Sequence, residues 1–333
     1  MSDRTLSEDA AQQVFEDQIV PVFFPDQPDG DTPRMTLVVG QPGAAAIRVA
    51  RQLSGPAAAV LSATDLRAFH PRFLELSRTF SPEAARILQD SASGWLRNAL
   101  QHARNTKRSI LLDGTLSSHD VALATTSLFG TSGFETAVAA VAVPQPESLL
   151  ASASKYLLDA RAGRAAQFTT LAAHDEGLRN TRALVDTLET TPSVDHLTII
   201  GRDGVVLFDT SRADPSGFAG ALAEFDRAHA TAPSAASAMR WLSELRAATD
   251  YALSLRQVPA PLAEVLIELH EIGRHEVLPR LQLPQASQAR PNADAALERR
   301  LTALRQATQV VNRPDRRPGP SVSTPDLDRG ISI

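Results

Sequence analysis

The chain has 333 residues, 43% of them hydrophobic and 21% charged, with a formal net charge of −5 and no cysteine. That length buries a substantial core as one large domain or two, and the composition is that of an ordinary globular protein. Lack of cysteine excludes disulfides, thiolate nucleophiles and cysteine-ligated zinc, and the mild acidity gives no global field for nucleic acid or an anionic membrane. No apolar run reaches the roughly 18 residues of a membrane span. Met1-Ser2-Asp3-Arg4 leads into no secretory apolar segment, so the expectation is a cytoplasmic protein.

Residues 5–20, opened by Thr5-Leu6-Ser7-Glu8, predict a capped amphipathic helix with Ala11, Phe15 and Ile19 as its apolar stripe. A Pro/Asp/Gly-rich linker, Pro25 to Pro33, follows. Met35 to Val39 then predicts a strand, which runs into Gly40-Gln41-Pro42-Gly43-Ala44-Ala45-Ala46-Ile47 and an Ala/Arg/Leu-rich segment ending near Leu53. Strand, loop and helix in that order are the frame of a phosphate-binding loop, G-x-x-x-x-G-K-[ST]. Gly40 stands at its first glycine, but Ala45, Ala46 and Ile47 stand where the second glycine, the lysine and the metal-binding hydroxyl residue belong.

Further strands are predicted at Ala57–Ser62, Arg108–Asp113, Phe134–Val143 and His196–Arg202, with a short one at Val205–Asp209. Helical patterns lie between them at Trp95–Thr106, His119–Phe129, Glu147–Ala162 and Ala172–Leu188. The alternation predicts an α/β fold, a P-loop NTPase-type parallel sheet flanked by helices on both faces. From about Asp214 onward the pattern is helical only, at Gly217–Ala230, Ser234–Leu255, Pro261–His275 and Asn292–Val311. The expected organisation is an N-terminal helix and linker (1–32), an α/β core (33–212), a helical C-terminal region (213–311) and a Pro-rich disordered tail (312–333).

Several islands, in order, give the sequence a family likeness. Leu6-Ser7-Glu8 through Ile19-Val20-Pro21, Gly40-Gln41-Pro42-Gly43-Ala44 and Ser62-Ala63-Thr64-Asp65-Leu66-Arg67-Ala68-Phe69-His70-Pro71 are the first three. Trp95 followed by Ile110-Leu111-Leu112-Asp113-Gly114-Thr115, then Gly133-Phe134, Lys155-Tyr156, His174-Asp175 and Arg202-Asp203-Gly204 complete the set. Over about residues 5–210 the chain resembles the zeta toxins, P-loop kinases of bacterial toxin–antitoxin systems related to UDP-N-acetylglucosamine kinases.

The resemblance implies ATP and Mg²⁺ as cofactors, a UDP-sugar as acceptor and an antitoxin as protein partner. It places the catalytic base, an aspartate in the family, at Thr64, with Ser62 in place of the motif's first aspartate and Asp65 as the neighbouring carboxylate. It places the arginines that clamp the transferred phosphate at Lys155 and at about Gln167, with Arg164 as the nearby substitute. Arg67, Asp113 (for the family's glutamate), Gly114 and Thr115 fall where the family binds the UDP-sugar, and Gly114-Thr115 also read as plain turn chemistry. Cation, metal-binding hydroxyl and base are therefore replaced in separate elements, and phosphoryl transfer depends on such groups for positioning and charge stabilisation.

Three functional readings stay open: a catalytically impaired pseudokinase, an active kinase with Arg48 or Arg51 and Asp65 as relocated groups, and a non-catalytic module that binds an antitoxin or other partner. His270-Glu271-Ile272-Gly273-Arg274-His275 is one residue too long for a zinc-protease H-E-x-x-H and reads as a surface helix, and no metal site is expected. His70 reads as a helix-start or packing residue, Trp95 and Trp241 as core, and His174-Asp175 as a helix tether. Arg313, Arg316 and Arg317 lack the interleaved aromatics of a nucleic-acid site, so neither nucleic acid nor membrane is expected as a partner.

Overall fold

The computed structural model describes residues 6–25, 32–44, 58–79, 82–113, 118–164, 168–201, 204–281 and 288–311. The expectations placed on Thr5, most of the Pro25–Pro33 linker, Ala45, Ala46, Ile47, Arg48, Arg51 and the segment to Leu53 lie outside those residues, as do those on Gly114, Thr115, Gln167, Arg202-Asp203 and the tail.

The first helix starts later and runs further than its sequence pattern predicts. Ser7, not Thr5, is the N-cap: the amide of Ala10 donates to its Oγ at 3.3 Å, and Glu8 and Asp9 follow in the first turn, where the helix dipole favours acids. α1 comprises Glu8–Val14, a π-turn over Phe15–Ile19 and Val20–Phe23. Pro21 explains the wide turn. It has no N–H for the carbonyl four residues back and its ring crowds that position, and the π-turn relieves both. The indole N–H of Trp95 donates to the Ala11 carbonyl at 2.8 Å and ties α1 to the core.

Six strands form one sheet: β1 (Arg34–Val39), β2 (Ala59–Ser62), β3 (Ile110–Asp113), β4 (Glu135–Val141), β5 (His196–Ile200) and β6 (Val206–Ser211), in the order β2-β3-β1-β4-β5-β6. β2, β3, β1, β4 and β5 are mutually parallel, whereas β6 is antiparallel to β5. The parallel expectation fails there because residues 201–205 alone join the two, and a parallel partner needs a crossover of a dozen or more residues. Met35, Leu37 and Val39 join Leu61, Leu112, Val138, Ala140 and Ile199 in a core that includes α1 and the helices on that face. Val38, Leu111, Ala139, Val141 and Ile200 form a second cluster on the other face with Ala44. Burial on both faces explains why the strands read as continuous apolar runs.

The connecting helices are α2 (Ala63–Leu66, continued by a 3-10 turn Arg67–Phe69), α3 (Phe73–Thr79), α4 (Pro82–Thr106), α5 (His119–Thr131), α6 (Gln145–Arg161) and α7 (Leu171–Thr190). α2 and α3 go unpredicted, and α4 begins thirteen residues before the expected Trp95, its buried stripe of Ala84, Ile87, Leu88, Ala92, Trp95, Ala99 and Ala103 keeping helical spacing throughout. Among the described residues after β6 follow α8 (Ala221–Ala230), α9 (Ala235–Ser254), α10 (Ala260–Ile272), continued by a π-turn Gly273–Val277 and a 3-10 turn Leu278–Arg280, and α11 (Ala289–Val311). α8 starts after Gly220, whose φ of +92° stops the helix from reaching back to Gly217.

A separate cluster joins Leu149, Leu150, Ala153 and Leu157 of α6 to α9, α10 and α11. α10 is not the surface helix expected. Leu262, Ala263, Val265, Leu266, Leu269 and Ile272 are buried around it, and His270 is wholly buried with its Nδ1–H donating to the Leu266 carbonyl at 2.7 Å. Among the described residues no helix is long and apolar enough to cross a membrane.

Candidate functional site

The carboxyl edge of the sheet gathers most of the described candidate residues. Strand register puts Val38, Asp113 and Ser62 in one row across β1, β3 and β2, so the chain leaves all three strands at the same level. The order also reverses at β1, with β2 and β3 on one side and β4 and β5 on the other. Open parallel sheets bind ligands outside the carboxyl ends at such a switch point. Gly40–Ala44, Thr64–Arg67 and Asp113 all border it.

β2 stops at Ser62, whose Oγ accepts from the Thr64 amide at 3.1 Å and caps α2. Thr64 and Asp65 therefore sit on a helical turn, about 100° apart around its axis. The Thr64 side chain is exposed, and Asp65 and Asp113 are half-buried. Arg67 is half-buried too, its guanidinium donates to Gln89 Oε1 on α4, and burial lowers its pKa. His70 is a packing residue: buried, its Nδ1 accepts from the Arg72 amide at 3.1 Å, and its ring centroid lies 6.4 Å from that of Trp95.

The loop after β1 is wedged between helices. Gly43 has φ +85°, and a Cβ there would lie 1.9 Å from the Ser148 carbonyl oxygen of α6 and 3.1 Å from the Ser152 amide nitrogen. On the other side, a Cβ on Gly177 of α7 would come within 2.8 Å of Pro42 Cδ. Gln41 is buried and points into the protein, its Nε2–H donating to the Val143 carbonyl at 2.6 Å and to Ser148 Oγ at 3.3 Å.

From Gln41 a polar chain continues through the interior. Ser148 Oγ lies 2.9 Å from His174 Nε2, and His174 Nδ1 lies 3.4 Å from Asp175 Oδ1, which also accepts from Gln145 Nε2 at 3.1 Å. A carboxylate only accepts, so the His174 hydrogen belongs on Nδ1 and Nε2 accepts from the serine hydroxyl. Serine, histidine and aspartate thus stand in the order of a hydrolytic triad, but Ser148 and His174 are both 0% exposed. No substrate reaches them, and the chain serves as the tether expected of His174-Asp175. Burial lowers the His174 pKa against the opposing pull of Asp175.

His229 of α8 joins from the far side. Its Nδ1–H donates to the Phe225 carbonyl at 2.9 Å, and its Nε2 lies 3.4 Å from Gln41 Oε1. Only a protonated ring donates to both oxygens, and burial pushes the His229 pKa down against that. Sequence reasoning missed Gln145, Ser148 and His229, which lie in no local motif. Substituting His174→Ala removes the 2.9 Å partner of the Ser148 hydroxyl, which keeps the Gln145 carbonyl at 3.2 Å, and opens a buried void, so it is expected to cost roughly 2–4 kcal/mol. A lower urea midpoint with an unchanged m-value would register that loss.

The expected phosphate-clamping cations are found together, but not free. Lys155 Nζ lies 2.6 Å from Asp159 Oδ2, and Arg164 places Nη2 at 2.7 Å and Nε at 2.9 Å from Oδ1. Gly163, at φ +64°, ends α6 in a left-handed turn, and the Arg164 amide bonds the Asp159 carbonyl at 2.9 Å, which swings Arg164 back over the helix end. Burial acts to raise the Asp159 pKa, but the hydrogen bonds and charges of Lys155 and Arg164 outweigh it and hold the carboxyl below its usual value.

With that geometry in place, comparison with known proteins decides the family. The family model "Zeta toxin" matches residues 23–213, more than half of the chain. The chain belongs to the zeta toxin family. The zeta toxins of Streptococcus agalactiae and Enterococcus hirae are 23% and 22% identical to it over 184 residues, which is 54% of this chain and 64% of theirs. The chain thus spans less than two thirds of the length of these curated relatives. A structure from the PezAT chromosomal toxin–antitoxin system of Streptococcus pneumoniae superposes with a TM-score of 0.60 at 17% identity, covering 75% of this chain and 97% of its own. That likeness establishes a zeta toxin fold.

Proposed function

We propose that this member of the zeta toxin family does not transfer phosphate efficiently and acts by binding, either a UDP-sugar on the acceptor side of the site or a protein partner. The observation that carries this reading is the coincidence of Ala46, Ile47 and Thr64 at the three positions where the family has its phosphate-binding cation, its metal-binding hydroxyl and its base. Without that cation the charge that builds on the transferred group lacks its main counter-ion, and without the base the acceptor hydroxyl keeps its proton.

The described loop residues offer ATP·Mg²⁺ little, and the oxygen ligands at the edge of the site are the carboxylates of Asp65 and Asp113. Magnesium demands oxygen ligands, and Gln41, the residue of Gly40–Ala44 with a side-chain oxygen, is turned into the interior. Ser62 gives its Oγ to the Thr64 amide, and Lys155 and Arg164 are turned onto Asp159. Arg67 and Asp113 border the same edge, which supports a sugar-nucleotide ligand, and relatives from toxin–antitoxin systems support a protein partner.

Calorimetric titration with UDP-N-acetylglucosamine and, separately, with ATP·Mg²⁺ tests the reading. Sugar-nucleotide binding without ATP binding is the expected result. Phosphorylation of the sugar nucleotide at ordinary kinase rates, about 1–100 per second, would sink it. One observation favours the active-kinase alternative: because β2 ends at Ser62, Asp65 lies on a helical turn and is half-buried at the edge of the site. That alternative requires a measurable activity that Asp65→Ala abolishes.

A further inference from the structure

α6 and α9 run side by side in the same direction. The Trp241 indole bonds the Pro146 carbonyl near the upstream end of the contact, and the Arg161 guanidinium carbon lies 5.6 Å from the Tyr251 ring centroid at the downstream end. Between the two helices opens a groove of about 310 Å³. α6 lines it with Leu157, Leu158 and Arg161, and α9 with Glu244, Ala248 and Tyr251. Their spacings of three and four residues put each set on one helical face. Leu157 and Ala248 are its buried floor, whereas Leu158 stands 59% exposed beside them. Knob and hole share one patch.

The ends of the groove carry opposite charge, Glu244 upstream and Arg161 downstream, both exposed. Cations nearby are paired within the chain: Arg164 closes on Asp159, and Arg246 and Arg300 close on Asp250. Among the described residues neither Arg161 nor Glu244 has an ion pair, and Arg161 lies against the Tyr251 ring instead. An exposed apolar knob beside an apolar groove, with one unmatched charge of each sign at opposite ends, is complementary to itself. A two-fold axis that reverses the groove brings each Arg161 to the Glu244 end of the other copy and each Leu158 over the other groove. We propose that two copies of this chain associate through the α6–α9 face in an isologous dimer. The charges select this occupant, since an apolar small molecule would leave both of them unmatched.

Sedimentation equilibrium of the full chain tests this. The expected result is a concentration-dependent rise from the chain mass of 35.7 kDa to twice that value and no further, because a two-fold contact closes. Arg161→Glu and Glu244→Arg each set like charges against one another and are expected to weaken the dimer at least about tenfold. An equimolar mixture of these two single variants should recover the parent's association, since every cross-interface pair is then Arg against Glu again. The doubly substituted chain should recover it as well, and Leu158→Asp should not dimerise. Thermal melts establish that the variants fold, which the exposure of all three side chains favours. A parent that stays monomeric up to about 1 mM overturns the proposal. A small amphiphile found in its groove by native mass spectrometry, or the chain's own residues 312–333 seated there, would then be the occupant. A dimer indifferent to the charge variants, a mixture no stronger than its components, or growth beyond the dimer overturns it equally.

Discussion

Replacing Gly43 with alanine is expected to lower the free energy of unfolding by roughly 3–5 kcal/mol. Two costs coincide at this position. The backbone sits at φ +85°, where an L side chain is strained by about 1–2 kcal/mol. The new Cβ would also start 1.9 Å from the Ser148 carbonyl oxygen and 2.8 Å from its carbonyl carbon. Both are backbone atoms of a packed helix, so α6 or the loop must shift. Gly163 separates the two contributions: its φ is +64°, and nothing lies within 4 Å of its Cβ position. Gly163→Ala should therefore cost only the conformational part, about 1 kcal/mol. Urea unfolding of the two variants side by side measures the difference, and equal losses would show that the wedge does not constrain the loop.

Stability is expected to fall by roughly 2 kcal/mol or more between pH 7.5 and pH 5.5, from linkage to buried histidines. Burial lowers the pKa of His70, His102, His174, His229 and His270, with Arg72 adding to the effect on His70, Arg108 on His102, and Arg300 on His270. Each therefore takes up its proton at a lower pH in the folded protein than in the unfolded chain, where an imidazole titrates near pH 6.5. The unfolded state thus holds more protons, so stability rises with pH, is complete above about 6.5 and drains away as pH falls below it. The limiting slope is about 1.4 kcal/mol per pH unit for each such histidine. His70, His174 and His270, each 3% exposed or less, carry most of the effect. The lowered carboxyls of Asp159, Asp250 and Asp294 add their loss only at more acid pH, near and below 4, and do not blur the window. Urea midpoints at the two pH values test this, and a flat profile would mean that the imidazoles gain protons without unfolding.

Much of the architecture was legible because burial on both faces writes strands as short apolar runs. Met35–Val39 and Phe134–Val143 differ from their observed strands by no more than two residues at either end. The α2 turn escaped notice because its signal is one capping hydroxyl, Ser62, at the end of a strand-like run. β6 was legible as a strand but not in direction, which depends on the brevity of the link from β5. The site was legible as residue types and not as contacts. Lys155 and Arg164 declared their charge, but their engagement depends on Asp159 and on the left-handed turn at Gly163. The interior network was least readable, since Gln41 and His229 meet across 188 positions of sequence.

The wedge at Gly43 also has a mechanical meaning. A loop with a glycine pressed on the α6 backbone cannot move by itself, and α6 in turn carries Leu149, Leu150, Ala153 and Leu157 into the cluster with α9, α10 and α11. The indole N–H of Trp241 on α9 grips the Pro146 carbonyl at the start of α6 at 2.9 Å. Loop, helix and C-terminal cluster behave as a lever with α6 as its beam. A ligand that displaces the loop against α6 is therefore expected to change the fluorescence of Trp241, whose indole is bonded to the start of that helix.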